Sequence, residues 1–94
     1  MNIEGFIWLE SIVTKLWRKH RVNPYEVEAL FDSEPYIRFV EKGHREGENV
    51  YAAMGQTDAG RYLITFFVLK QNHRAVIISS RSMTDTERRR YEQR

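Results

Sequence analysis

Apolar residues recur along this chain with two different periods, and the change from one to the other divides it. Leu9, Ile12, Val13, Leu16 and Trp17 repeat at helical spacing while Lys15, Arg18 and Lys19 fall between them. That spacing predicts an amphipathic helix over residues 10–20 with a basic outer face. Ahead of it, Gly5 to Leu9 is short, apolar and aromatic, and reads as a brief strand or an extended lead-in. Asn23-Pro24 opens the next helix: Asn suits the N-cap, Pro the first helical position, and Glu26 the third. Val27, Leu30 and Phe31 form its stripe, and Pro35 ends it by pushing Glu34 out of the helical region.

Beyond Pro35 the period becomes extended. Residues 36–40, 50–55, 61–70 and 75–80 read as strands, separated by a charged loop at 41–48 and by turns at Asp58-Ala59-Gly60 and Gln71-Asn72-His73. The segment from Arg61 to Lys70 is apolar on both faces, which places it mid-sheet with Phe66 and Phe67 both largely buried. Thr84 and Glu87 have capping-box spacing, so a last helix starts there. The predicted fold class is α+β: two N-terminal helices, a four-stranded antiparallel meander, and a C-terminal helix, in one domain over residues 1–94. If the turn centres near Asn72, Arg61 falls near Arg81 and Ser82, and both arginines sit at one end of the sheet beside the last helix.

Composition narrows the picture. No cysteine is present, which excludes disulfides and thiolate zinc sites and suits a reducing cytoplasm. Glu4 and Glu10 interrupt the N-terminal segment, so a secretory signal is not expected, and no apolar run approaches a membrane span. Residues 1–80 carry equal numbers of basic and acidic side chains. Residues 81–94 carry Arg81, Arg88, Arg89, Arg90 and Arg94 against Asp85, Glu87 and Glu92, so the formal +2 resides there. Such an excess suits an anionic partner, nucleic acid or acidic protein, although ordinary solubility accounts for it equally well.

Three blocks resemble the BrnT family, the toxin half of a bacterial toxin–antitoxin pair: Phe6-Ile7-Trp8; Lys19-His20-Arg21-Val22-Asn23-Pro24 leading into Glu26-Val27-Glu28; and Gly55 to Tyr91, with Gly60-Arg61-Tyr62-Leu63, Ser79-Ser80-Arg81-Ser82 and Glu87-Arg88-Arg89-Arg90-Tyr91. The resemblance implies a RelE-like fold and a ribonuclease that inhibits translation without a metal cofactor. It also implies neutralisation by a cognate ribbon-helix-helix antitoxin, through which operator DNA is bound. The chain departs from the family where Leu9 replaces Asp, where Arg21 replaces Gly, and where Val50 and Val76 replace arginines. Those losses support a second reading, a catalytically degenerate module that binds an antitoxin or nucleic acid.

Metal-free RNA cleavage needs a base for the 2′-hydroxyl, an acid for the leaving oxygen, and fixed cations around phosphorus. His20, Glu87 and Tyr91 are the candidate acid–base groups; Lys19, Arg61, Arg81 and Arg88 are the candidate phosphate contacts. Each has a structural alternative. His20 borders the apolar stripe and can pack; Glu87 can serve as a cap; Tyr91 can lie on the sheet; Lys19 can be a solvated side chain; Arg61 and Arg81 can form ion pairs, to Glu87 or Asp58. The run Arg88-Arg89-Arg90 points three ways around a helix, so it forms no flat patch. His44 and His73 stand in separate loops without carboxylate partners, so no metal site is assigned.

Overall fold

The structure, a computed structural model, describes residues 1–45 and 47–94. Glu46, part of the charged loop expected over 41–48, lies outside them. In chain order the elements are β1 (Gly5–Ile7), α1 (Glu10–His20), α2 (Pro24–Asp32), β2 (Tyr36–Glu41), β3 (Val50–Gln56), β4 (Tyr62–Leu69), β5 (Arg74–Ser82) and α3 (Asp85–Glu92). The expected meander is present as β2 to β5. The lead-in is a true strand: β1 pairs in parallel with β5 and makes the sheet five-stranded and mixed, in the order β1-β5-β4-β3-β2. No helix among the described residues is long and apolar enough to cross a membrane.

β4 is the middle strand, as its two-faced apolar pattern requires. Leu63 and Phe67 turn toward α1 and α2, where they join Leu16, Val22, Val27, Ala53, Ala75 and Ile77 in the main core. Phe67 is fully buried, and burying one such ring stabilises by roughly 1.5–3 kcal/mol. Its neighbours are aromatic: Phe31 meets it edge-on at 5.1 Å between centroids and Tyr51 stacks at 5.8 Å. Ile64, Ala52 and Met54 form a smaller cluster on the opposite face, flanked by Tyr36, Phe66, Met83 and Tyr91. Phe66 is only half-buried there, not largely buried as expected, because α3 is short and leaves part of that face uncovered.

α2 sits close to β3 because Gly55 lets it. A Cβ at that position would stand 2.7 Å from Leu30 Cδ1, inside contact distance. Both capping boxes form as the sequence predicts. The Asn23 side chain accepts from the Glu26 N–H and the Thr84 hydroxyl from the Glu87 N–H, while each glutamate reaches back to its cap residue. α1 ends differently. Arg21 caps it in the left-handed region, at φ 52° and ψ 41°, where glycine is usual.

One irregularity decides which side chains share a face. From Leu69–Ala75 to Phe67–Ile77 the hairpin of β4 and β5 keeps one register, but Phe66 pairs with Ser79, so Ile78 is an extra residue. This bulge reverses the alternation of β5 beyond it. Ser80 consequently faces α1 and α2, where its hydroxyl bonds Thr65 Oγ1 at 2.9 Å in the core, and Arg81, opposite Ile64, faces α3.

Candidate nucleic-acid interface

The bulge overturns the expected convergence of Arg61 and Arg81. In the unshifted register Arg81 would pair with Leu63 and share a face with Arg61. The extra residue sends it through to the other side of the sheet, and each guanidinium finds a separate carboxylate.

Arg61 precedes β4 and reaches toward α1 and α2. One terminal nitrogen donates to Glu26 Oε2 at 2.9 Å and to the Arg21 carbonyl at 2.8 Å; the other donates to the His20 carbonyl at 3.0 Å. Its partner is therefore Glu26, neither Glu87 nor Asp58. The last carbonyls of a helix lack intrahelical partners, and here Arg61 supplies them. Since Glu26 also completes the cap at Asn23, one network locks the α1–α2 connection to the start of β4. Half-buried His20 joins this network through its backbone, and Lys19 is exposed on the same helix.

Arg81 faces α3. Its guanidinium grips both oxygens of Glu87, at 2.7 and 3.0 Å, and lies 5.6 Å from the centre of the Phe66 ring. Glu87 also accepts the Thr84 N–H at 2.8 Å. The hydrogen bonds from Arg81 hold the Glu87 carboxyl below the usual carboxylate range, more than burial pushes it up; the same pairing raises Arg81. Tyr91, one turn further along α3, meets Tyr62 edge-on at 6.1 Å. Arg88 covers the Tyr62 ring at 3.9 Å and approaches Glu92 at 3.5 Å.

Beside the Arg81–Glu87 pair runs an open groove of about 260 Å³, floored by Ala52, Met54, Ile64 and Phe66 and bordered by Arg38, Phe39, Val40, Glu87 and Arg90. Arg38 stands opposite Ala52 on β2 and so faces α3. Among the described residues neither Arg38 nor Arg90 forms an ion pair. The sequence reading missed Arg38. Its signal was a lone charge amid Tyr36-Ile37-Arg38-Phe39-Val40, a position where a half-covered strand places its solvent-side residue.

Of the candidates, the structure brings together Arg81, Glu87, Arg88 and Tyr91 on the α3 side. It leaves His20, Lys19 and Arg61 on the α1–α2 side. Among the described residues no three His, Asp or Glu side chains cluster as metal ligands. The α3 side thus combines free cations, aromatic rings and one deprotonated carboxylate around an apolar floor, the ingredients of an RNA-binding surface.

Known proteins agree with this architecture. The crystal structure of the Brucella abortus ribonuclease toxin BrnT is similar, with a TM-score of 0.61 and 16% identity over 86% of this chain and 97% of that one. At that identity the likeness speaks for the fold. No curated protein sequence matches significantly. A family model described as "Ribonuclease toxin, BrnT, of type II toxin-antitoxin system" matches residues 8–87, which takes in α1 through the first turn of α3. With most of its length matched, the chain belongs to the BrnT family of ribonuclease toxins.

Proposed function

We propose that the chain is a metal-independent endoribonuclease toxin that binds RNA along the α3 side of its sheet. The observation that carries this reading is the groove in which Arg38 and Arg90, among the described residues, form no ion pair beside the Arg81–Glu87 pair. The arginines take phosphates in two-point fashion, and the half-exposed Phe66 ring beside them accepts a base. Glu87 is a weak base while Arg81 holds it. A phosphate arriving at the groove competes for Arg81, and as that guanidinium turns to the anion the carboxylate regains proton affinity. Glu87 then takes the proton of the 2′-hydroxyl, the 2′-oxygen bonds phosphorus, the bond from phosphorus to the 5′-oxygen breaks, and the Tyr91 hydroxyl protonates that leaving oxygen. The products are a 2′,3′-cyclic phosphate and a free 5′-hydroxyl. His20, across the sheet, takes no part.

Membership of a toxin–antitoxin family implies an antitoxin partner. We assign it the ribbon-helix-helix type, with operator DNA bound through it, and place the activity in the cytoplasm where messenger RNA is translated. One observation favours a rival reading, a binding module without catalysis: both oxygens of Glu87 are already occupied. Cleavage of RNA in excess EDTA decides between them. The proposal expects cyclic-phosphate ends, loss of roughly 10²–10⁴ in rate for Glu87→Gln, and retained activity for His20→Ala. Absence of cleavage by the unmodified chain both in EDTA and in magnesium, with RNA still bound, supports the binding module.

A further inference from the structure

α3 is eight residues long and none of them is buried, so propensity alone does not hold it in place. It is fastened to the sheet at two points. Near its start, Arg81 and the Thr84 cap grip Glu87. One turn on, the fastening is Tyr62, the first residue of β4, which stands opposite Gln56 and alternates onto the α3 side with Ile64 and Phe66.

Three contacts meet at Tyr62. Its carbonyl accepts the Met83 N–H at 2.9 Å, which ties down the link between β5 and α3. Its ring meets the Tyr91 ring with centroids 6.1 Å apart and planes at 76°, the T-shaped geometry that aromatic pairs favour. Arg88 lies over the Tyr62 ring at 3.9 Å from its centre. Arg88 and Tyr91 stand three residues apart and so share a face of α3, which a single ring of the sheet engages twice. Tyr91 otherwise flanks the small cluster of Ala52, Met54 and Ile64. Aliphatic contact of that kind is non-directional, whereas the edge-on ring pair fixes an orientation.

We infer that Tyr62 is a positioning residue whose ring sets where the Tyr91 hydroxyl stands relative to Glu87, so that it acts on the leaving oxygen through Tyr91. The inference rests on the roles proposed above for Glu87 and Tyr91. Two consequences follow from the geometry. Both side-chain contacts use the ring, so Phe replaces Tyr62 and Leu does not. The effect is also confined to the step that Tyr91 serves: a 5′-alkoxide needs a proton as it departs, whereas 4-nitrophenolate leaves as the anion.

The test compares, in EDTA, cleavage of uridylyl-3′,5′-adenosine with that of uridine 3′-(4-nitrophenyl phosphate) by the full chain and its Tyr62→Phe, Tyr62→Leu and Tyr91→Phe variants. Tyr62→Leu should lower kcat/KM for the dinucleotide about 10²-fold, the scale of an ångström-sized misplacement, and leave that for the nitrophenyl ester nearly unchanged. Tyr62→Phe should match the unmodified chain on both. Equal losses on the two esters by Tyr62→Leu overturn the inference and make Tyr62 a support of the fold alone, and undiminished cleavage of the dinucleotide overturns it as well. Normal dinucleotide cleavage by Tyr91→Phe removes Tyr91 from the reaction, and the role of Tyr62 goes with it. If the unmodified chain cleaves neither ester, the proposed reaction fails and amide hydrogen exchange decides the placement. Faster exchange at Tyr91 and Glu92 in Tyr62→Leu than in Tyr62→Phe supports it, and equal rates overturn it.

Discussion

Arg61 and Arg81 resemble each other in the sequence and do different work in the fold. Arg61 donates to Glu26 and to two helix-end carbonyls, so its removal strands acceptors as well as an anion. Charge-assisted bonds of this kind contribute about 1.5–3 kcal/mol. Arg61→Ala should accordingly lower stability by roughly 2 kcal/mol in denaturant melts, while RNA affinity measured on the remaining folded protein changes little. Glu87 provides a pH signature. Its carboxyl is held down mainly by Arg81, so the folded protein binds a proton there less readily than the unfolded chain. The resulting stability is present above the ordinary glutamate value of about 4.3 and drains away as pH falls through the depressed folded value. Melting temperatures taken from neutral pH into that acid range should fall more steeply for the unmodified chain than for Glu87→Gln. Equal slopes would mean that the pair contributes no linkage.

At the scale of elements, most boundaries were legible because caps and breakers mark them chemically. Asn23-Pro24 with Glu26, and Thr84 with Glu87, announced two helix starts, and Pro35 announced an end. The two-faced apolar run of β4 announced the middle of the sheet. The parallel pairing of β1 was not legible, since three residues carry no period and their partner strand lies far along the chain. Nor was the bulge at Ile78, because an apolar run from Ala75 to Ile78 has no alternation to break. That one residue separates Arg81 from Arg61, so the Arg81–Glu87 pair and the Glu87 cap were legible as alternatives while the parting of the two arginines was not. Packing between elements gives a sharper check at Gly55. A methyl group there meets Leu30 at 2.7 Å, and forcing α2 away from β3 costs about 1–3 kcal/mol. Gly55→Ala should lose that much in denaturant melts; an unchanged midpoint would show that α2 can shift freely.

For the whole molecule, the sheet separates two jobs. Its α1–α2 face holds the main core, with Phe67 at the centre and the Arg61 network at one end, while its α3 face holds a thin apolar cluster under an arginine-bordered groove. A half-covered face costs some burial and leaves room for a ligand. Arg38 and Arg90 supply cations beside the groove. The central claim is that these two arginines hold the RNA to be cleaved. The direct measurement is single-turnover cleavage of one RNA, in EDTA, by the unmodified chain and by the folded Arg38→Ala, Arg90→Ala double variant. The account predicts a loss on the order of 10²-fold, as removal of preorganised charge around a transition state produces. Cleavage by the double variant at the unmodified rate would contradict it and place the active site off this face of the sheet.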